Sequence, residues 1–260
     1  MPPVFPAGSR WSLRQLPLTP YQTQTTTMAI KGVIFDYGGT IDSRGVHWSE
    51  IIWDGWKLAG ATFDKDAFRK AYVATERHFA THPVVRPDFD FRQLMQAKTS
   101  TEADFLRADG HAADSHMALS AASYCYDRAH ECVGEARPVI QAVTDRMPAV
   151  LVSNFYGNVE SVLADFGLRH LFAAVIESAV AGVRKPDPQI FRLGVEALGL
   201  QPEEVLVVGD SLRKDILPAE SIGCRTAWLK GKGWTDEEDR ATHPSQISAL
   251  ADILTIIGKQ

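Results

Sequence analysis

Short, wholly apolar runs recur along this chain, and several are followed by a helical stretch that stops at a glycine. The runs are Val33-Ile34-Phe35 and residues 149–152, 174–176, 205–208 and 226–229. Runs too short for a helix and apolar at every position suit strands buried on both faces. Between the later runs, helical patterns over 159–166, 188–198 and 212–222 close at Gly167, Gly199 and Gly223, residues free to take the left-handed turn that ends a helix. Alternation of buried strands with glycine-terminated helices predicts an α/β fold, a doubly wound parallel sheet with helices on both faces.

The segment after the first run breaks this rhythm. Residues 48–59 and 64–79 carry long amphipathic helical patterns, and no strand pattern interrupts them. The expected organisation is a core of residues 29–43 and 136–260, with a helical cap of residues 44–135 inserted between the first two strands. Both ends of such an insertion return to the sheet edge, where the cap can act as a lid. Residues 1–27 contain no Asp or Glu, are rich in proline and end in a polar stretch with little to bury. The segment up to Met28 is therefore expected to be a disordered tail or the product of a start codon placed too far upstream.

Composition narrows the partners. The net charge is −5 and the Lys and Arg residues are scattered, so there is no electrostatic footprint for nucleic acid or for a membrane surface, and a small molecule is the expected partner. Cys125, Cys132 and Cys224 lack the pair spacing of a zinc site or a disulfide framework. No apolar run has the roughly 20 residues of a membrane-spanning helix, and a cytoplasmic protein is expected.

In open parallel sheets ligands bind beyond the carboxyl ends of the strands, and four predicted strand ends carry reactive groups. Asp36 follows the first, Ser153 and Asn154 the second, Lys185 lies in the loop after the third, and Asp210 and Asp215 follow the fourth. Each has a plain structural role open to it, as helix cap, turn or surface charge. Together they form the inventory of a phosphate site: a nucleophile, a cation, a hydroxyl and extra acids. Converging carboxylates repel unless a hard cation sits among them, and oxygen ligands suit Mg²⁺. Phosphoryl transfer needs mainly positioning and charge neutralisation, and backbone N–H groups around Gly38 and Gly39 can line the same anion site.

Asp36-Tyr37-Gly38-Gly39-Thr40, Val152-Ser153-Asn154, Gly182 to Pro188 (GVRKPDP) and Gly209-Asp210-Ser211 with Asp215 resemble, in order, the four motifs of the haloacid dehalogenase (HAD) superfamily. The insertion is similar to the helical cap of its phosphoglycolate phosphatase-like and haloacid dehalogenase-like subgroup. The resemblance implies Asp36 as nucleophile and metal ligand, with metal also held by the Gly38 carbonyl, Asp210 and Asp215. It implies Ser153 and Lys185 as phosphate binders, Lys185 also being catalytic, with Asn154, Thr40 and Gly39 beside the substrate. The expected function is Mg²⁺-dependent hydrolysis of a small phosphorylated metabolite through an aspartyl-phosphate.

One position departs from the pattern. Phosphatases of this superfamily carry a second Asp, two residues after the nucleophile, which protonates the leaving oxygen; here it is Gly38, which moves no proton. A positioned acid or base is typically worth about 10² to 10⁴ in rate. The alternatives are substrates with good leaving groups, an acid borrowed from the cap (His47, His78 or His82) or from the substrate, or a module that binds phosphate compounds with little turnover. Phosphonatase-like chemistry would need a Schiff-base lysine among Lys57, Lys65, Lys70 and Lys98, and dehalogenase-like chemistry fits poorly with the retained Asp210 and Asp215. The cap aromatics Trp48, Trp53, Trp56, Tyr72 and Phe79 recur at helical spacing, as a packed helix face does.

Overall fold

A computed structural model describes residues 28–258; the expected tail over 1–27 lies outside the described residues. One sheet holds six strands: β1 (Gly32–Phe35), β2 (Ala149–Ser153), β3 (Ala174–Glu177), β4 (Val205–Gly209), β5 (Arg225–Leu229) and β6 (Gln246–Ile247). Their order is β3-β2-β1-β4-β5-β6, and every neighbouring pair is parallel. The five apolar runs all became strands. β6 has no counterpart among them, since two residues are too few to produce a periodic signal.

Every residue of β1, β2 and β4 is buried, and alternation assigns their side chains to two separate cores. Val33, Phe35, Leu151, Leu206 and Val208 face one side, and Ile34, Val150, Val152, Val205 and Val207 the other. This is the two-residue period of a strand covered on both faces. On the first face lie α4 (Ser115–Thr144), α5 (Val159–Asp165) and α10 (Asp252–Gly258). On the second lie α7 (Gln189–Leu198) and α8 (Leu217–Ser221). Short helices α6 (Ser178–Ala181) and α9 (Asp236–Arg240) follow β3 and β5.

The helix expected over 212–222 is divided. A π-helical turn, Leu212–Ile216, precedes α8. Within it Ile216 N–H donates to Ser211 O at 3.3 Å, and Pro218 in the first turn of α8 has no N–H to continue an α-helical ladder.

Four helices stand between β1 and β2: α1 (Trp48–Leu58), α2 (Lys65–Thr81), α3 (Phe91–Ala108) and α4. Three begin at an aspartate whose carboxylate accepts a backbone N–H of the first turn: Asp64 for α2, Asp90 for α3 and Asp114 for α4. These caps satisfy donors a helix start leaves open. α3 packs on both α2 and α4, and α1 packs on α4. The expected boundary at residue 135 falls inside α4, which runs unbroken from the inserted helices to the sheet.

Glu102 lies wholly buried among these helices. Trp56 Nε1–H donates to Oε2 at 2.8 Å, and among the described residues Oε1 has no partner. Burial pushes this carboxyl from 4.5 up to about 7, against the opposing pull of the Trp56 hydrogen bond and of Lys98. A carboxyl with a raised folded pKa keeps its proton longer in the folded chain, so stability is lost as pH rises from about 4.5 through about 7. Glu102→Gln removes that loss. Its melting temperature at pH 8 is expected to rise by several degrees, a gain on the order of 2 to 3 kcal/mol, with little change at pH 5. A variant that melts no higher than the parent at pH 8 would contradict the assignment.

Candidate active site

The sheet order reverses direction between β1 and β4, so the chain leaving β1 and the chain leaving β4 diverge and open a crevice above their carboxyl ends. Asp36 and Asp210 leave the sheet at that point. Asp36 N–H donates to Val208 O at 2.9 Å, continuing the ladder by one residue, and Trp228 Nε1–H from β5 donates to Asp210 O at 2.7 Å. Both backbones are thereby fixed before their side chains do anything.

Lys185 enters from the loop after α6. Its side chain is 2% exposed, and Nζ lies 2.5 Å from Asp36 Oδ1 and 2.7 Å from Asp215 Oδ1. Asn154 positions it from below: Asn154 Nδ2–H donates to Lys185 O at 3.0 Å, and Lys185 N–H donates to Asn154 Oδ1 at 2.9 Å. The Lys185–Pro186 peptide is cis. Asp215 sits in the π-helical turn, where its Oδ2 accepts Ser211 N–H at 3.0 Å. The Thr40 hydroxyl lies 3.0 Å from Asp36 Oδ2 and 3.3 Å from Asp210 Oδ1, and its single proton goes to one of them at a time.

Asp36, Asp210 and Asp215 each offer an oxygen within 4.8 Å of the others'. One lysine faces these three carboxylates, so full ionisation leaves two negative charges without a counter-charge. The crowding adds to burial in raising two of the acids. Burial, then the charges of Asp36 and Asp215, hold the Asp210 carboxyl well above the usual range, and burial raises Asp215 even though Lys185 opposes it. Lys185 is lowered by burial, but Asp215 and Asp36 outweigh that and leave it firmly protonated. A buried, all-oxygen donor set short of two positive charges fits a hard divalent cation such as Mg²⁺.

The turn after Asp36 brings Gly39 against the acids. Its φ is +100°, and a Cβ there would meet the Asp210 carboxyl at 2.4 Å, so both backbone and space call for glycine. Gly38 is different: a Cβ on it meets nothing within 4 Å.

A cavity of about 900 Å³ lies over these groups, walled by the sheet's carboxyl end and by the inserted helices. Of the residues singled out in the sequence, Asp36, Gly38, Gly39, Asn154, Lys185, Asp210 and Asp215 line it. Thr40 and Ser153 are buried and outside the lining; Ser153 is the last residue of β2, paired with Glu177 of β3.

Of the cap candidates, His47 lines the cavity and His78 and His82, which stack at 4.2 Å, do not. Burial lowers His47 to about 4, and its Nδ1 is engaged with Ser49, so at neutral pH it carries no extra proton to give. Lys98 lines the cavity, whereas Lys57, Lys65 and Lys70 do not. Lys98 is lowered by burial, but Glu76, Tyr156 and Tyr72 outweigh this and keep it an ammonium, not the free amine a Schiff base requires. Trp48 and Tyr72 reach the cavity, while Trp53, Trp56 and Phe79 pack into the helical core.

The sequence reading missed Asp42, which is buried and lines the cavity. Burial pushes it up to about 7, opposed by hydrogen bonds from Gly39 N–H (2.8 Å) and Trp48 Nε1–H (3.0 Å). Its place in the same turn as Asp36 was the available signal. Glu76 and Tyr156, also in the lining, were missed because they lie on segments that only the tertiary fold brings together.

A parallel doubly wound sheet, with a carboxylate and lysine cluster at its switch point and a helical insertion above, defines a capped α/β fold of the hydrolase type. The chain belongs to the haloacid dehalogenase-like hydrolase family, whose model matches residues 30–223. It is 35% identical over 91 residues to the phosphoserine phosphatase of Thermus thermophilus, covering 35% of this chain and 36% of that protein. It is 41% identical over 95 residues to the glyceraldehyde 3-phosphate phosphatase of Pyrococcus furiosus, covering 36% of this chain and 40% of that one. The chain thus spans well under half the length of these curated relatives. In fold it is similar to the HAD-hydrolase YfnB of Bacillus subtilis, a structure bound to magnesium, with TM-score 0.57, 18% identity and coverage of 88% and 99% of the two chains. It is similarly close to a dehalogenase structure, with TM-score 0.58, 15% identity and coverage of 89% and 98%. No helix among the described residues is long and apolar enough to cross a membrane.

Proposed function

We propose that the protein is a Mg²⁺-dependent phosphatase acting on a small phosphorylated metabolite through Asp36. The observation that carries this reading is the cluster in which Lys185 bridges Asp36 and Asp215 while Asp210 stands beside them. Asp36, Asp210, Asp215 and the Gly38 carbonyl are the groups that would hold Mg²⁺, whose charge offsets that of the carboxylates and of the phosphoryl oxygens. The relatives named as phosphatases and the magnesium in the YfnB structure support the same reading.

Asp36 Oδ forms a bond to phosphorus as the bond from phosphorus to the leaving oxygen breaks. Water then attacks the aspartyl-phosphate, releasing inorganic phosphate and returning the carboxylate. Lys185 holds Asp36 in place and shares the negative charge that builds on the phosphoryl group. Residues 29–43 and 136–260 act as the catalytic core and 44–135 as the cap over the cavity. Three free, buried cysteines suit a cytoplasmic setting.

Gly38 favours a second reading, a phosphate-ligand binding module with slow turnover, because no side chain there protonates the leaving oxygen. The two separate by phosphate release from acetyl phosphate and phenyl phosphate, with Mg²⁺ or with EDTA. Release that EDTA abolishes is expected. Silence on both substrates with measurable binding would leave the module, and halide release from 2-chloropropionate in EDTA would replace both with dehalogenation.

The open space at Gly38 makes a further expectation concrete. A Cβ at Gly38 meets no neighbour within 4 Å, and Gly38→Asp is expected to raise turnover of alkyl phosphates such as glycerol 1-phosphate by about 10² or more. Acetyl phosphate, whose leaving group needs no proton, should gain far less. Equal gains on both, or none, would mean the proton is supplied elsewhere.

A further inference from the structure

The cap supplies the cavity with a polar group that the phosphate chemistry does not use. Lys98 of α3 pairs with Glu76 Oε1 of α2 and lies 2.8 Å from the hydroxyl of Tyr156, in the loop after β2. That hydroxyl is in turn 3.0 Å from each oxygen of Glu76. All three residues line the cavity that holds Asp36 and Lys185. The Lys98 side chain is 4% exposed and that of Glu76 33%.

A buried ion pair is a poor way to stabilise a helix interface, where apolar side chains of similar volume often serve as well or better. Placed on a cavity wall, it is suited to recognition. The Lys98 ammonium is bonded to Glu76 and Tyr156, with the Tyr72 ring 5.0 Å from Nζ, so one of its three N–H donors has no hydrogen-bond acceptor among the described residues. Glu76 accepts from Lys98 and Tyr156 and keeps lone pairs beyond those two bonds. The pair therefore offers one donor and one acceptor side by side with no net charge. A carboxylate placed there would meet the charge of Glu76, and an ammonium that of Lys98. A hydroxyl accepts from one and donates to the other.

We propose that Lys98, Glu76 and Tyr156 form a subsite for a substrate hydroxyl, so that the preferred substrates are hydroxylated monophosphates of the polyol or sugar type. This rests on the phosphatase reading above and deepens it, adding a recognition group at a place remote in sequence from the four motifs.

The test is binding to the Asp36→Asn protein in Mg²⁺, read by calorimetry with glycerol 1-phosphate and with n-propyl phosphate, which lacks the hydroxyls. Glycerol 1-phosphate is expected to bind about tenfold tighter or more, as befits hydrogen bonds to charged groups. Adding Lys98→Met is expected to bring the two ligands within about twofold of each other, leaving n-propyl phosphate where it was, whereas Tyr156→Phe, which leaves the Lys98–Glu76 donor and acceptor in place, is expected to keep the preference, and its loss there would overturn the pair as the source. Tyr156→Phe keeps the ion pair intact, so it remains informative should Lys98→Met fail to fold, and the comparison of ligands needs no cap variant at all. Equal affinities in the unaltered cap, binding of neither ligand, or a cap variant that weakens both ligands alike would overturn the subsite. The phosphatase reading is judged apart from it, by EDTA-sensitive phosphate release from phenyl phosphate, which carries no hydroxyl for the subsite to hold.

Discussion

Asp36→Asn is expected to lower phosphate release from phenyl phosphate by a factor on the order of 10⁴ or more while leaving the fold intact. The size follows from the role: loss of a nucleophile removes the covalent path altogether, and what remains is catalysis by binding and charge alone. The intact fold follows from the surroundings. Lys185 keeps Asp215 as a partner at 2.7 Å, the Asn side-chain oxygen can still accept from Lys185 or Thr40, and one of three crowded negative charges is gone. Melting temperature without Mg²⁺ should therefore hold or rise, and the stabilisation added by Mg²⁺ should shrink. A variant that retains a tenth of the parent rate would leave Asp36 as a bystander and the aspartyl-phosphate without a basis.

Lys185→Met has the opposite signature, a large loss of stability together with the loss of turnover. Three buried carboxylates then converge with no cation among them. Removing one partner of a buried ion pair typically costs about 3 to 5 kcal/mol. The deficit should narrow as pH falls, because Asp210 and Asp215, whose carboxyls are already raised by burial, take up protons in the folded chain before they do so unfolded. Millimolar Mg²⁺ should restore part of it, since a divalent ion supplies the missing charge and binds only the folded cluster. Thermal melts at pH 5 and pH 8, with and without Mg²⁺, check both points. A variant as stable as its parent in EDTA at pH 8 would show that the acids are not in charge balance with Lys185.

The strands and the motifs were legible because each is a local pattern. Val33-Ile34-Phe35 is short, apolar throughout and closed by an acid and two glycines, the pattern of a strand buried on both faces whose following acid leaves the sheet at its carboxyl end. What escaped was set by contacts between distant segments. The helix expected over 212–222 became a π-helical turn and α8 because the turn is bonded back to Ser211, which periodicity does not register. Asn154 was expected beside the substrate, and the geometry gives it a second task, gripping the backbone of Lys185 with both ends of its amide. His47, His78 and His82 were equal candidates in the sequence; burial of the one that reaches the cavity removes its usefulness as an acid near neutral pH.

The sequence by itself determined a parallel sheet, its helical insertion and the identities of Asp36, Lys185, Asp210 and Asp215, because hydrophobic period and strand-end position are properties of short segments. Only the tertiary structure decided how those groups meet: the reversal of strand order between β1 and β4 that opens the crevice, the charge imbalance of three acids around one lysine, and the approach of α2, α3 and the loop after β2 that sets Glu76, Lys98 and Tyr156 in one wall. Distances between residues far apart in the chain depend on how whole elements pack, and that packing is written in no single stretch of sequence.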